Sequence, residues 1–182
     1  MHEQSMMDQY IQTYGCRLYG LCVTLCAGYS GSSGHNGFSQ NGFLDAEDLY
    51  QETWLRAYKN FHQYDGSRPF EGWITAICVN VYRDSLRRKK ISTLFDKFRT
   101  AEEKDAMLES VPASEKKDYT ALHEAIGRLP EKLRITVILF YFHDMKESQV
   151  AESLGIPPGT VKSRLNNARK ILRKELSDEE HL

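Results

Sequence analysis

The stretch GIPPGTVKSRLNNARKIL, residues 155–172, decides the fold because it combines a glycine turn with a basic helix. Its apolar side chains recur at i, i+4, i+7 and i+11, which is one face of an α-helix: Val161, Leu165, Ala168 and Leu172. The opposite face carries polar side chains: Lys162, Ser163, Asn166, Asn167, Lys170, Arg173 and Lys174. Arg164 and Arg169 flank the apolar stripe, and no acidic residue lies between 162 and 174. The sequence therefore predicts an amphipathic helix with a cationic outer face.

A second short apolar face, Val150, Ala151 and Leu154, comes just before Gly155. Glycine there allows a positive φ and a sharp turn, and Pro158 suits the first turn of the helix that follows. Short helix, turn and basic helix form the helix-turn-helix arrangement, whose second helix enters the DNA major groove. The alternative is an ordinary helix with a solvated charged face. A cluster of cations without acids favours DNA binding.

Length and composition limit what the whole chain does. It has 182 residues, 41% hydrophobic and 27% charged, as expected for one or two small folded domains. The net charge of −1 excludes a global attraction to nucleic acid, so binding must come from local basic patches such as 83–90 and the C-terminal helix. There is no apolar run of membrane-spanning length and no signal-peptide pattern. We expect a cytoplasmic protein with no membrane insertion.

The four cysteines are Cys16, Cys22, Cys26 and Cys78. A zinc or redox site that also uses His35 is one interpretation. The cysteines lie in apolar helical runs and lack a CxxC pair, so small buried hydrophobic residues are the favoured interpretation. We predict no metal and no cofactor.

The rest of the chain predicts an all-α protein of two small helical domains, an N-terminal bundle and a C-terminal helix-turn-helix, joined by a flexible linker. Helical spacing covers 6–27, 45–60 and 70–90, and it returns from Ala121. Residues 28–43 are rich in glycine and serine and predict a flexible insert. The segment ILFYF, 138–142, has strand-like composition, but the pattern around it favours a helix. The predicted divisions are a domain at 1–92, a linker at 93–118, a domain at 119–176 and an acidic tail at 177–182.

The helix after residue 44 gathers acidic and amide side chains on one side, with one leucine at their edge: Asp45, Asp48, Gln51, Glu52 and Leu55. Carboxylates in a first turn are stabilised by the helix dipole, so capping and solvation explain the acids. A face of this kind equally suits a basic partner protein. The residues alone leave both interpretations open.

The helix after Phe70 presents Asn80, Arg83 and Arg87 at i, i+3 and i+7, with Trp73 beside that face. Tyr64 lies in the preceding loop, 62–69. Aromatic rings beside amides and guanidiniums suit single-stranded nucleic acid, because bases stack on rings and arginines hold phosphate. A loop of this kind could also capture a flipped base. The alternative is that Phe70 and Trp73 belong to the core and the arginines are solvated.

Two segments together resemble the RNA polymerase sigma factors of the extracytoplasmic-function (ECF) group, bacterial proteins of the sigma-70 family. They are DAEDLYQETWLRAYKNFHQYDGSRPFEGWITAICVNVYRDSLRR (45–88) and LPEKLRITVILFYFHDMKESQVAESLGIPPGTVKSRLNNARKIL (129–172). The resemblance implies a promoter-specificity subunit without a catalytic centre, which recruits core RNA polymerase to promoter DNA. It also implies control by an anti-sigma factor.

The resemblance implies a role for each surface. Asp48, Gln51, Glu52 and Leu55 match the family motif that binds the clamp helices of the polymerase β′ subunit. The loop 62–69, Trp73 and Asn80 would recognise the unwound promoter element, while Arg83, Arg87 and Arg88 hold the strand. Lys162, Ser163, Arg164, Asn167 and Arg169 would read the upstream element as duplex. The linker would thread toward the active-site and RNA-exit channel of the polymerase, where its acids could stand in for nucleic-acid charge, and it would keep the two DNA-binding surfaces apart. The implied polymerase partners are the β′ clamp helices and the β subunit.

Two features depart from the family pattern. The insert 28–43 replaces a short turn, and Lys146 stands where the first helix of the helix-turn-helix has a serine cap, which leaves the start of that helix open.

Two other functions compete with this interpretation. A stand-alone helix-turn-helix repressor or activator needs a dimer interface that the sequence does not show, and it leaves 45–88 without a purpose. An enzyme acting on nucleic acid lacks paired carboxylates and a phosphate-binding glycine loop.

Overall fold

The computed structural model describes residues 2–27, 45–99 and 117–179. Seven α-helices lie within those residues: α1 (His2–Ala27), α2 (Ala46–Lys59), α3 (Phe70–Arg99), α4 (Lys117–Arg128), α5 (Glu131–Val137), α6 (Glu147–Leu154) and α7 (Pro158–Glu179). The described residues contain no strand, so the predicted all-α class is confirmed. The predicted insert 28–43 lies outside the described residues. Helix α3 continues through 93–99 and α4 includes 117–118, while residues 100–116 of the predicted linker lie outside the described residues.

Helices α1, α2 and α3 form the N-terminal unit. Helix α2 begins as predicted, because the Asp45 carboxylate caps it by accepting the Asp48 N–H at 2.8 Å. Leucines of α1 and Leu49 of α2 are buried against the apolar stripe of α3. The helical spacing read from the sequence thus corresponds to the buried face of each helix.

The loop before α3 is held by its own hydrogen bonds. The Tyr64 hydroxyl donates to the carbonyl of Arg68. The Asp65 carboxylate accepts from the Ser67 N–H at 3.0 Å and the Ser67 hydroxyl at 2.8 Å. These bonds favour the ionised carboxylate and lower the pKa of Asp65. The loop therefore reaches α3 in a defined conformation.

Helices α4 to α7 form the C-terminal unit, which contains the predicted helix-turn-helix. Gly155 adopts φ +62° between α6 and α7, the left-handed conformation that glycine tolerates best. Helix α6 follows Lys146, and the Lys146 N–H donates to the Gln149 side chain at 2.8 Å. That bond satisfies one free N–H at the helix start without a serine.

Residues 138–142 are helical, as the sequence predicted, but they form a wider π-type turn that continues α5. The chain leaves this turn at His143 and Asp144, and Asp144 has φ +51°. The Met145 N–H then bonds to the carbonyl of Leu139 at 3.2 Å. A single wide turn of this kind is often found near functional sites.

The two units pack on each other. Helix α6 lies along α3, and the π-type turn lies against α1. The Arg134 guanidinium of α5 is only 4% exposed and donates to the Tyr82 hydroxyl of α3 at 3.0 Å. Buried apolar residues of both units form one continuous core. The linker was expected to keep the two DNA-binding surfaces apart, and no sequence pattern indicates this contact.

Candidate nucleic-acid and protein interfaces

The acidic side chains of α2 come together as predicted. Asp48, Gln51, Glu52 and Leu55 line one wall of a groove of ≈ 470 Å³, and α3 supplies the other wall, including Arg88. Leu55 is 48% exposed, so an apolar side chain borders the groove. Asp45 does not line this groove because it caps the helix. Arg56 lines it as well, so this α2–α3 groove carries two carboxylates, two guanidiniums and an apolar edge.

Two residues that the sequence analysis missed tie this groove to α3. Arg56 donates to Glu52 at 2.8 Å and to Asp84 at 2.9 Å, and Asp84 also accepts from Arg87 at 2.9 Å. The hydrogen bond with Asp84, followed by that with Glu52, raises the pKa of Arg56. The i,i+4 and i,i+3 spacings could have revealed two of these pairs. The link between Arg56 and Asp84 joins residues 28 positions apart and has no sequence signal.

The predicted aromatic site forms a second groove of ≈ 370 Å³ beside the loop 62–69. Tyr64 and Trp73 are half-buried along it, with ring centroids 5.1 Å apart. Phe70 is buried and stacks on Tyr10 at 3.9 Å, so it belongs to the core. Trp73 combines both interpretations, since it packs against the core and also lines the groove. Tyr10 keeps the helical spacing of α1, but its contact with Phe70 has no sequence signal because it depends on how α1 meets α3.

The polar residues of α3 differ in exposure. Asn80, Arg87 and Arg88 are exposed. Arg83 is half-buried, and this burial is the main cause that lowers its pKa. The negative charge of Glu131 raises the pKa of Arg83, and the positive charges of Arg164 and Arg87 lower it further. The Arg83 side chain therefore faces the C-terminal unit rather than open solvent.

The outer face of α7 is cationic, and its apolar stripe is buried as predicted. Lys162, Ser163 and Asn167 are exposed. Arg169 is also exposed, but it donates to the Tyr141 hydroxyl at 2.8 Å. Arg164 is half-buried against the N-terminal unit. Three of the five predicted duplex-binding residues are thus freely presented.

The cysteines are mostly packing residues. Cys22 and Cys78 are buried with sulfur atoms 3.8 Å apart, and Cys26 is half-buried. The hydrogen bond with Cys78, followed by burial, raises the pKa of Cys22, and burial raises the pKa of Cys26 to about 12. Cys16 is exposed, so its expected burial was wrong: it lies on the outer face of α1.

No group of three metal-ligating side chains occurs among the residues that the structure describes, and His35 lies outside them. Within the same part of the chain, each helix is too short or too polar to span a bilayer.

Comparison with known proteins matches both units. The family model of sigma-70 region 2 covers residues 11–91, and that of sigma-70, region 4 covers 119–172. The ECF RNA polymerase sigma factor SigW of Bacillus subtilis is 28% identical over 185 residues, which cover 97% of this chain and 91% of SigW. The ECF RNA polymerase sigma factor SigM of the same organism is 30% identical over 129 residues, 70% of this chain and 77% of SigM.

Two solved structures share the fold. The sigma factor RpoE, in complex with the anti-sigma factor NepR from Bartonella quintana, superposes with a TM-score of 0.64, at 24% identity over 93% of this chain and 96% of RpoE. CnrH, in complex with the cytosolic domain of CnrY, gives a TM-score of 0.61, at 21% identity over 96% of this chain and 90% of CnrH.

The chain belongs to the RNA polymerase sigma factors of the ECF group. It is a promoter-specificity subunit of RNA polymerase, and the relatives it matches are not enzymes.

Proposed function

We propose that the carboxylate-bearing α2 wall of the α2–α3 groove binds a cationic helical surface of core RNA polymerase, the β′ clamp helices. The exposed carboxylate of Asp48 and the half-buried carboxylate of Glu52 attract basic side chains, while exposed Leu55 supplies apolar contact at the edge. Asp45 acts indirectly by capping the helix that carries these groups.

In the same proposal, the aromatic groove binds the unwound promoter strand. Tyr64 and Trp73 offer ring faces on which a base can stack, and exposed Asn80 supplies an amide for reading a base edge. Arg87 and Arg88 hold the phosphates. Arg83 joins them once it is released from the C-terminal unit.

Helix α7 is proposed to read the upstream promoter element in duplex form. Lys162, Ser163 and Asn167 lie exposed near its N-terminal end, the part of a recognition helix that meets base edges. The preceding glycine turn at Gly155 fixes the angle between α6 and α7. Arg164 and Arg169 would contact DNA after giving up their present contacts.

The observation that carries the proposal is the chain of ion pairs that joins the polymerase groove to Arg87 on α3. Asp84 on α3 binds Arg56, which binds Glu52 at the polymerase groove, and it also binds Arg87 on the strand-binding face. A protein that holds a polymerase and an opening DNA strand together needs these two surfaces at a constant separation. A stand-alone repressor does not.

Reconstituted transcription tests this function. Core polymerase from the source organism would be incubated with a random promoter library, with and without the protein, and bound promoters would be selected and transcribed. We expect new start sites only with the protein. Unchanged initiation at every start site sampled would overturn the proposal.

Charge reversal then separates polymerase binding from folding. Asp48→Arg with Glu52→Arg should abolish co-purification with core polymerase, because two attractive contacts become repulsive. Asp8→Arg with Glu124→Arg makes the same change in net charge at exposed positions away from the groove and should leave binding intact. Equal binding by both double variants would contradict the assignment.

We also propose that an anti-sigma protein controls this factor in the cytoplasm. The support is that both structural neighbours are sigma factors, solved with the anti-sigma factor NepR and with the cytosolic domain of CnrY. Affinity purification of the protein from unstressed and stressed cells tests this. A stoichiometric partner that is lost under stress supports the proposal, and polymerase as the sole partner in both conditions contradicts it.

A further inference from the structure

Arg56 is an arginine of the α2–α3 groove that neither of the proposed binding surfaces uses directly. Two different nitrogens of its guanidinium are engaged: Nε donates to the Glu52 carboxylate at 2.8 Å, and Nη1 donates to the Asp84 carboxylate at 2.9 Å. The Arg56 side chain is 29% exposed. It is therefore held between α2 and α3, with one partner on each helix.

Asp84 divides its carboxylate between two arginines. Its Oδ2 accepts from Arg56, while its Oδ1 accepts from Nη2 of Arg87 at 2.9 Å. The Arg87 side chain is 73% exposed, so water screens its pair with Asp84 and the pair exchanges easily. The pair of Arg56 with Asp84 is better shielded from water. Of the two arginines, Arg87 is thus the one that can leave Asp84 for a phosphate of the DNA strand.

The cost of that transfer depends on Arg56. With Arg56 in place, Asp84 keeps a cation after Arg87 has moved to the phosphate. Without Arg56, the departure of Arg87 would leave the Asp84 carboxylate unpaired beside an incoming group of the same charge. A carboxylate with both oxygens available also favours a two-point contact with a guanidinium, so it would hold Arg87 more tightly. Both effects oppose the contact between Arg87 and DNA.

We propose that Arg56 is a positioning residue for DNA-strand binding: it keeps Asp84 paired, and so leaves Arg87 available to a strand phosphate. The inference rests on the proposed function for the ligand of Arg87. Arg56 touches no nucleic acid and acts only through Asp84. Loss of its charge therefore weakens strand binding. Polymerase binding is kept, because the same loss also frees the Glu52 carboxylate from its internal cation.

Strand binding by the holoenzyme tests this role. The probe is a fluorescent single strand that carries the opened segment of a promoter selected in the transcription test, and core polymerase is saturating. Arg56→Gln should weaken binding of the probe about threefold to fivefold, as expected for an exposed charge pair. The slope of log affinity against log salt concentration should become shallower by about 0.7, the value for one phosphate of a single strand. Undiminished strand binding, or a parallel loss of core polymerase binding, would overturn the proposal.

Two further variants separate charge from packing between α2 and α3. Asp84→Asn, added to Arg56→Gln, removes the carboxylate that retains Arg87 and should restore strand affinity to within about twofold of the native protein. The second substitution rebuilds no contact between the helices, so a purely structural role of Arg56 predicts no recovery. Arg56→Lys keeps a cation beside Asp84 and should also stay within about twofold. No recovery with Asp84→Asn, or equal losses in Arg56→Lys and Arg56→Gln, would overturn the proposal.

Two controls complete the experiment. Arg128→Gln removes an exposed arginine that is also paired with a carboxylate, that of Glu124 at 3.4 Å, and should leave strand affinity unchanged. A loss as large as that of Arg56→Gln would assign the effect to net charge. Arg87→Ala should weaken strand binding at least as much as Arg56→Gln. No effect of Arg87→Ala would contradict the proposed function, whereas an effect of Arg87→Ala without one of Arg56→Gln would overturn only the role of Arg56.

Discussion

Within the proposed function, Asn80 offers the most direct test of strand recognition, since its side chain is exposed on α3. Asn80→Ala should reduce promoter opening about tenfold to a hundredfold, because an amide paired to a base edge is worth ~1–3 kcal/mol. Core polymerase binding should stay unchanged. Permanganate reactivity of promoter thymines measures opening, and native gels measure binding. Gln12→Ala removes an exposed amide from α1 as the control, and equal opening in both variants would contradict the assignment.

The cysteines make a second prediction at the residue scale. Cys16 is exposed, while Cys22 and Cys78 are buried and burial raises the pKa of Cys26 to about 12. Only a thiolate reacts readily, so iodoacetamide at pH 8 should rapidly label one thiol of the folded protein, that of Cys16. Labelling of the other three should require guanidinium, as followed by mass spectrometry. Rapid loss of two or more thiols would contradict this burial, and Cys16→Ser should abolish the fast label.

At the scale of elements, the turn between α6 and α7 provides a matched pair of substitutions. Gly155 has φ +62°, so Gly155→Ala should lower the free energy of unfolding by ~1–2 kcal/mol. Gly159 lies in the first turn of α7 with open space around it, so Gly159→Ala should have no cost or stabilise the protein by up to ~1 kcal/mol. Urea unfolding measures both. A loss at Gly159 as large as that at Gly155 would show that the backbone conformation is not the cause.

Elements were predictable where a repeating pattern defines them. The stripe of α7 and the cap at Asp45 follow from local sequence, because burial of one helical face and a first-turn N–H are local requirements. The wide turn at 138–142 was not predictable, since its apolar residues suit several backbone conformations. Within the candidate site, those residues that share one face of a single helix were predictable from their spacing. Arg56 and Asp84 were not, because their pairing depends on how α2 meets α3.

At the scale of the whole molecule, the contact between the units was beyond prediction for a physical reason. In the sequence, nothing distinguishes Arg134 from an ordinary exposed basic residue of a short helix. In the structure it is buried, and it bonds both to the carbonyl of Gly127 and to the Tyr82 hydroxyl of the other unit. A buried charge is tolerated only where such partners meet it. Those partners come from elements 7 and 52 residues away, so no local pattern records them.

His143 makes this contact sensitive to pH. Its backbone carbonyl accepts from Arg17 of α1 at 3.2 Å, and Arg17 is paired with Glu71 of α3 at 2.9 Å. Burial, followed by the charge of Arg17, lowers the pKa of His143 below 6.5, and Asp144 opposes this shift. The packed arrangement of the two units therefore favours neutral His143. The stability of this packing is fully present above pH 6.5 and decreases as the pH falls below that value, because the separated units bind a proton that the packed units resist.

Energy transfer between dyes measures this opening in the full chain. Cys16 is the exposed native thiol on α1, and Lys170→Cys places a second one on the exposed face of α7. Transfer efficiency should fall between pH 7.5 and 5.5 as the units separate. His143→Gln stays neutral throughout and should remove most of that fall. The same pH dependence in His143→Gln would assign the effect to Glu71 or Asp144, the other ionisable groups at this contact, and would exclude His143 as its source.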